Sequence, residues 1–217
     1  MIFSFDFDDI VGFSKLSASA EEYDGIPQPT KLQFEFISPR PVNSNSIAAA
    51  GTLCFGRYIE GRVSYQGHID RPVAEALQSY LGQPYVYFSE VDFRPKDPCR
   101  RPNIASLNLA NSNLPTPAAT NSFERDREFV LTFHDSSRRV GWSMELPYID
   151  IPANISRFQE NLEPFSRDWW SPLIAVVILI ADAFEIGTIR IPRLNGPGAT
   201  ELRKVLRSID MRLEVGE

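Results

Sequence analysis

Cysteine is scarce: Cys54 and Cys99 are the only two in 217 residues, 45 positions apart and outside any CxxC pattern. That excludes a cysteine-built zinc framework or a multi-bridge scaffold. Two buried thiols in a reducing cytoplasm are expected, with one Cys54–Cys99 bridge as the alternative. Histidine is equally rare, and neither His68 nor His134 has a second His at metal-ligand spacing. Both read as strand-face histidines with ordinary hydrogen bonds, so no metal and no cofactor is expected. No GxSxG, P-loop or GxGxxG pattern occurs. The N-terminus has no basic stretch leading into an apolar core, so no secretory signal is expected. Long apolar runs are missing too. The longest of note, Leu173–Ala181, has nine residues, against about 20 for a spanning helix. Asp182 and Glu185 would then sit in hydrocarbon, so no membrane span is expected. Positive charge is in the minority, with 22 Lys and Arg against 28 Asp and Glu. An acidic total argues against binding a nucleic-acid duplex. The best basic cluster, Arg94, Lys96, Arg100 and Arg101, sits in a Pro-rich stretch beside Phe93 and reads as a solvated loop.

Phenylalanine and proline are plentiful, at 15 and 17 residues. That combination favours strands joined by irregular turns. Residues 2–8 and 32–36 alternate with the period of half-buried strands. TLCFGRYIE and RVSYQGHI read as two further strands over 52–69, after a loop at VNSNS. Asp70-Arg71-Pro72 opens a helix that Gly82 closes. Tyr85–Phe93 reads as a strand, and residues 94–125 as a long irregular loop. EFVLTFH and RVGWSMEL read as a hairpin around DSSR. Residues 154–165 look helical. The segment 172–186, between Ser171-Pro172 and Gly187, reads as a helix apolar on every side, which must be wrapped by a sheet or a partner. A strand over 188–193, an amphipathic helix through Leu202, Val205, Leu206 and Ile209, and an edge strand at Met211–Val215 close the chain. The expectation is one α+β domain over 1–217, with a largely antiparallel sheet, a buried hydrophobic helix near the C-terminus and a terminal amphipathic helix.

FDFDD, at residues 5–9, carries two readings. Phe3, Phe5 and Phe7 can face a core while Ser4, Asp6 and Asp8 face water. The stretch also resembles the first signature of the haloacid dehalogenase-like phosphohydrolases, an apolar strand followed by DxD. The resemblance covers Phe3 to Ile10. It implies Asp6 as the nucleophile on phosphorus, Asp8 as acid/base, a bound magnesium and a doubly wound parallel sheet. Asp182 and Glu185 are the candidates for that family's later acidic pair.

Three other stretches were candidates for chemistry or contact. NGPGATELRK, at 195–204, opens a helix and reads as a tight turn with Asn195 or Thr200 near the cap. Asp182 and Glu185 share a helix face that meets water at the helix end. Trp169-Trp170, with Phe165 nearby, cannot both face one core direction, so one is an interface anchor or both lie in a core lid.

The leading expectation is a non-enzymatic protein-binding or assembly subunit of a bacterial or phage-type cytoplasm. It would be a complex component, an immunity-type inhibitor or a self-associating protein, its acidic surface suited to a basic partner. The alternatives are a small hydrophobic-ligand carrier and a magnesium-dependent phosphohydrolase using Asp6 and Asp8.

Overall fold

The computed structural model describes residues 1–8, 12–36, 41–94, 101–108, 127–135 and 143–216. In chain order the elements are β1 (Ile2–Asp8), β2 (Phe13–Ser19), β3 (Lys31–Glu35), α1 (Ser44–Phe55), β4 (Arg62–Val63) and β5 (Ile69–Asp70). Next come α2 (Arg71–Leu81), β6 (Tyr87–Phe88), β7 (Val91–Asp92), β8 (Asn103–Asn108) and β9 (Glu128–His134). The chain closes with β10 (Ser143–Glu145), β11 (Tyr148–Pro152), α3 (Ile155–Gln159), α4 (Arg167–Phe184), β12 (Ile186–Ile191), α5 (Ala199–Ser208) and β13 (Arg212–Val215).

Helices and strands are mixed, as an α+β chain requires, but the pairing differs from expectation. β1-β2-β3 is an antiparallel meander. The six-stranded sheet runs β10-β11-β9-β8-β12-β13, and only its β10–β11 pair is antiparallel. The antiparallel reading of EFVLTFH therefore fails. β9 pairs in parallel with β8 and β11, and the hairpin is β10–β11. Parallel strands need long crossovers, and α4 and α5 supply two of them.

Residues 94–125 are not irregular throughout. Asn103–Asn108 forms β8, between β9 and β12, with Asn103, Ala105 and Leu107 buried. Its polar alternate residues hid it. Ser106 Oγ donates to Glu128, and Arg190 bonds Glu128 at 2.7 Å and Glu214 at 2.9 Å, which satisfies polar groups across four strands.

Ser44–Ser46 of the VNSNS loop and the TLCF part of the strand read over TLCFGRYIE belong to α1. Asn43 caps this helix by accepting from the Ser46 N–H at 2.9 Å. The β-branched and aromatic residues of TLCF form its last turn, buried on all sides. The small residues Ala48, Ala49, Ala50 and Gly51 let it approach its neighbours closely. A Cβ at Gly51 would stand 2.5 Å from the Phe3 ring of β1.

The helix expected over 172–186 occupies Arg167–Phe184, five residues earlier at its start. Ser166 caps it by accepting from the Trp169 N–H at 3.3 Å, and Pro172 lies inside rather than at the first turn. Every residue from Trp170 to Ala181 is buried. α1 lies between the meander and α4, and α4 lies between α1 and the six-stranded sheet. Each Leu, Ile or Val so enclosed contributes roughly 1.5–3 kcal/mol. α2 ends at Gly82, in the left-handed region at φ 67°, and packs on α5. No helix of the described residues is long and apolar enough to cross a membrane.

Buried asparagines tie the layers together. Asn154 donates to Lys31 O and accepts from Gln33 N–H, joining β3 to the end of β11. Asn103 donates to Phe184 O and accepts from Arg127 N–H, joining β8 to α4.

Candidate functional site

Chain order within the parallel strands singles out one edge. From β8 the chain moves outward to β9 and then β11 on one flank. It returns through α4 to β12 on the opposite flank of β8, and then moves outward to β13. The direction of winding reverses between β8 and β12. In open α/β sheets ligands sit outside the carboxyl ends of the strands near such a reversal. Here those ends carry Asn108 on β8, His134 and Asp135 on β9, and Asn154 after β11. The short α3 and the start of α4 cover the same edge, since the chain passes through α3 on leaving β11.

A cleft of about 130 Å³ opens there, with Asn108, His134, Asp135, Ser156 and Gln159 as its polar lining and Phe133, Ile155 and Leu173 among its apolar walls. The His134 Nε2 atom is buried and has no hydrogen-bond partner among the described residues. Such an atom costs about 1–3 kcal/mol when left unmatched. An imidazole nitrogen accepts or donates according to its tautomer. Two neighbours are already fixed: Ser156 Oγ donates to Asp135 Oδ2 at 3.3 Å, and Gln159 Nε2 donates to Trp169 O at 3.0 Å. His134, which borders the cleft, therefore carries a buried unmatched ring nitrogen at a strand end, with Ser156 and Gln159 held by hydrogen bonds nearby. Among the described residues the cleft's lining holds no Lys or Arg, which suits an uncharged or cationic polar group better than a phosphate.

The aromatic trio lies at the same end of α4. Trp170 is fully buried, and its Nε1 donates to Arg193 O at 2.9 Å. Burial removes it as a surface anchor. Trp169 and Phe165 are half-buried and pack against it, with ring centroids 5.0 Å apart for the two indoles and 5.2 Å for Phe165–Trp169. The Arg193 guanidinium stacks 3.9 Å from the Phe165 ring. The three rings pack on one another at the start of α4.

Of the basic residues, Arg94 is exposed beside Asp92, while Lys96 and Arg100 lie outside the described residues, as does Cys99. Arg101 departs from the solvated reading. Its side chain is 7% exposed; Nη2 donates to Asp182 Oδ1 at 2.7 Å and Nη1 to Ile209 O at 3.1 Å. Asn43 Nδ2 donates to the other Asp182 oxygen at 3.0 Å. Asp182 thus clamps α4 to α1, α5 and the strand entering β8, rather than facing bulk water. Cys54 is a free, buried thiol whose pKa burial pushes up.

FDFDD takes neither the position nor the company that the phosphohydrolase resemblance implies. β1 pairs antiparallel with β2 along its whole length and leads into a hairpin, not into a helix. Asp6 stands opposite Lys15, which it meets at 3.7 Å, and Asp6 and Asp8 are both exposed. Asp9 lies outside the described residues. Among the described residues no three His, Cys, Asp or Glu side chains converge as metal ligands do. Phe3 is buried, while Phe5 and Phe7 are half-buried.

Asn108, Ser156 and Gln159 escaped the sequence reading, and His134 drew only an ordinary role. NIASLN and EFVLTFH end in Asn108 and His134, residues with hydrogen-bonding side chains, but nothing within either stretch marks the two strands as running to one edge. Comparison of the chain with models of protein families, with curated proteins and with solved structures returns no match.

Proposed function

We propose that this chain is a ligand-binding subunit that holds a small polar molecule at the carboxyl end of its parallel strands. The observation that supports it is the buried, unmatched Nε2 of His134, a residue lining the cleft at the carboxyl ends of β8 and β9. The reading keeps the carrier class expected from composition but changes the ligand from apolar to polar, since five of the lining side chains bear hydrogen-bonding groups. Native mass spectrometry of the purified chain is expected to show a small-molecule adduct that His134→Ala loses. A bare chain, together with a His134 imidazole NMR signal unmoved by a small-molecule cell extract, would remove the proposal.

A second reading rests on a separate observation. β10 is the terminal strand of the six-stranded sheet, and Met144, Leu146 and Tyr148 on its hairpin are exposed at 50%, 60% and 37%. Apolar edge strands can pair with other strands. An identical strand satisfies such an edge by two-fold symmetry, so the occupant proposed is a second copy of this chain, in keeping with an assembly subunit. Light scattering should show a concentration-dependent dimer that Met144→Glu shifts to monomer. A monomer at every concentration sinks this reading.

A further inference from the structure

We infer that the outer face of α5 docks an acidic protein segment, its carboxylates set one helical turn apart, on Arg203, Lys204 and Arg207. The inference rests neither on the His134 cleft nor on the β10 edge.

Leu202, Val205 and Leu206 are the buried side of α5, which turns Arg203, Lys204 and Arg207 outward. All three are exposed, and so is Arg212, just past the helix on β13. None of these four side chains makes an ion pair among the described residues. The fold treats its other arginines differently. Arg62 pairs with Glu21, Arg71 with Glu75, Arg101 with Asp182, and Arg190 with Glu128 and Glu214. The acid on α5 is Glu201, which is half-buried and close enough to Arg167 to act on its charge. The outer face of α5 is therefore cationic throughout.

A solvated helix face gains by mixing signs, because like charges four residues apart repel. Arg203 and Arg207 are such a pair, with Cβ atoms about 5–6 Å apart. Arg207 lies in the last turn of α5, where a cation suits the helix dipole. Arg203 and Lys204 lack that reason. Nor is the patch the overflow of a basic composition, since the chain carries a net charge of −6. A repulsion kept without internal gain points to an anionic partner.

The surroundings select the kind of anion. Each guanidinium offers a planar fork that takes a carboxylate through two parallel hydrogen bonds. Acidic residues three or four apart on a helix have the same separation as Arg203 and Arg207. Among the described residues no large apolar side chain of α5 or β13 is exposed. The face therefore has nothing to insert into a lipid surface and no ring on which bases could stack. A nucleic-acid duplex extends its phosphates well past so short a patch, where exposed Asp210 and Glu214 would repel them. A short acidic segment avoids both.

The test is a titration of the full chain, at low salt, with a blocked helical peptide of Glu-Ala-Ala-Ala repeats. The peptide should bind, and more weakly as salt rises. Arg203→Glu/Lys204→Glu should weaken it about tenfold or more, as like charges set face to face do. Lys31→Glu/Arg157→Glu makes the same change in net charge at two exposed positions elsewhere, and should weaken it about twofold or less. Arg203→Glu alone should hold or raise the Tm of the free protein, because a carboxylate there faces Arg207 one turn on. Four results would overturn the inference: no binding of the peptide at low salt; equal losses in the two double variants; a DNA duplex or phosphatidylglycerol vesicles bound more tightly than the peptide; or a fall in Tm for Arg203→Glu, which would make the patch structural.

Discussion

Asp24 shows what one side chain does here when its surroundings match it fully. It is 2% exposed and bonds three groups: the Glu60 N–H at 3.0 Å, the Glu21 N–H at 2.9 Å and the Met1 ammonium. Burial alone would raise its pKa. The Glu60 N–H, the ammonium and the Glu21 N–H outweigh that effect and lower it below 3.8. A carboxyl with a depressed folded-state pKa stabilises the fold above its unfolded pKa, and the contribution fades as the pH falls through the folded value. Urea midpoints of the wild type should therefore drop, as the pH falls below about 4, more steeply than those of Asp24→Asn, which should be the less stable protein at pH 7. Equal acid slopes in the two proteins would contradict this assignment.

At the level of elements, the Asp182 clamp is the most consequential contact. Arg101, Asn43 and the Ile209 carbonyl converge on or beside one helix end, so α1, α4, α5 and the start of β8 share a single polar node. Arg101 is buried but the Asp182 side chain keeps 25% exposure, so water partly compensates the charge left behind and the cost falls below that of a fully buried pair. Arg101→Ala should lose about 1–3 kcal/mol in denaturant melts. Arg101→Met/Asp182→Leu, which removes both charges, should recover much of it, and a double variant worse than Arg101→Ala would refute the clamp. The elements themselves were unevenly legible. Period-2 alternation marked β1 and β3, Asp70-Arg71-Pro72 with Gly82 framed α2, and Ser171-Pro172 with Gly187 placed α4 to within a few residues of its end. α1 misled because its last turn, TLCF, has the composition of a strand, while its cap, Asn43, lay in a stretch read as loop. β8 was missed because a strand buried at the sheet centre here alternates apolar residues with Asn and Ser that serve hydrogen bonds.

Across the whole molecule, parallel pairing was the least legible feature, and the candidate site depends on it. Strand direction is set by how helices cross between strands, and no local pattern in NIASLN or EFVLTFH encodes it. The edge holding His134 could only be recognised once β8, β9 and β11 were known to point the same way. The same architecture makes the two halves interdependent: α1 comes from the first half of the sequence and α4 from the second, and each buries the other. A chain ending at residue 94 should lack cooperative unfolding and near-UV circular dichroism, whereas mixing it with residues 95–217 should restore both. A cooperative melt of the first piece alone would contradict this interdependence.

One outcome of that arrangement concerns the growing polypeptide. When α1 leaves the ribosome, the surface meant for α4 has nothing to rest on, because α4 is completed more than a hundred residues later. At ordinary rates of synthesis that gap lasts several seconds. Throughout it, an alanine-rich greasy face waits in the open, so the yield of folded protein in a cell should depend on holdase chaperones that shield nascent chains.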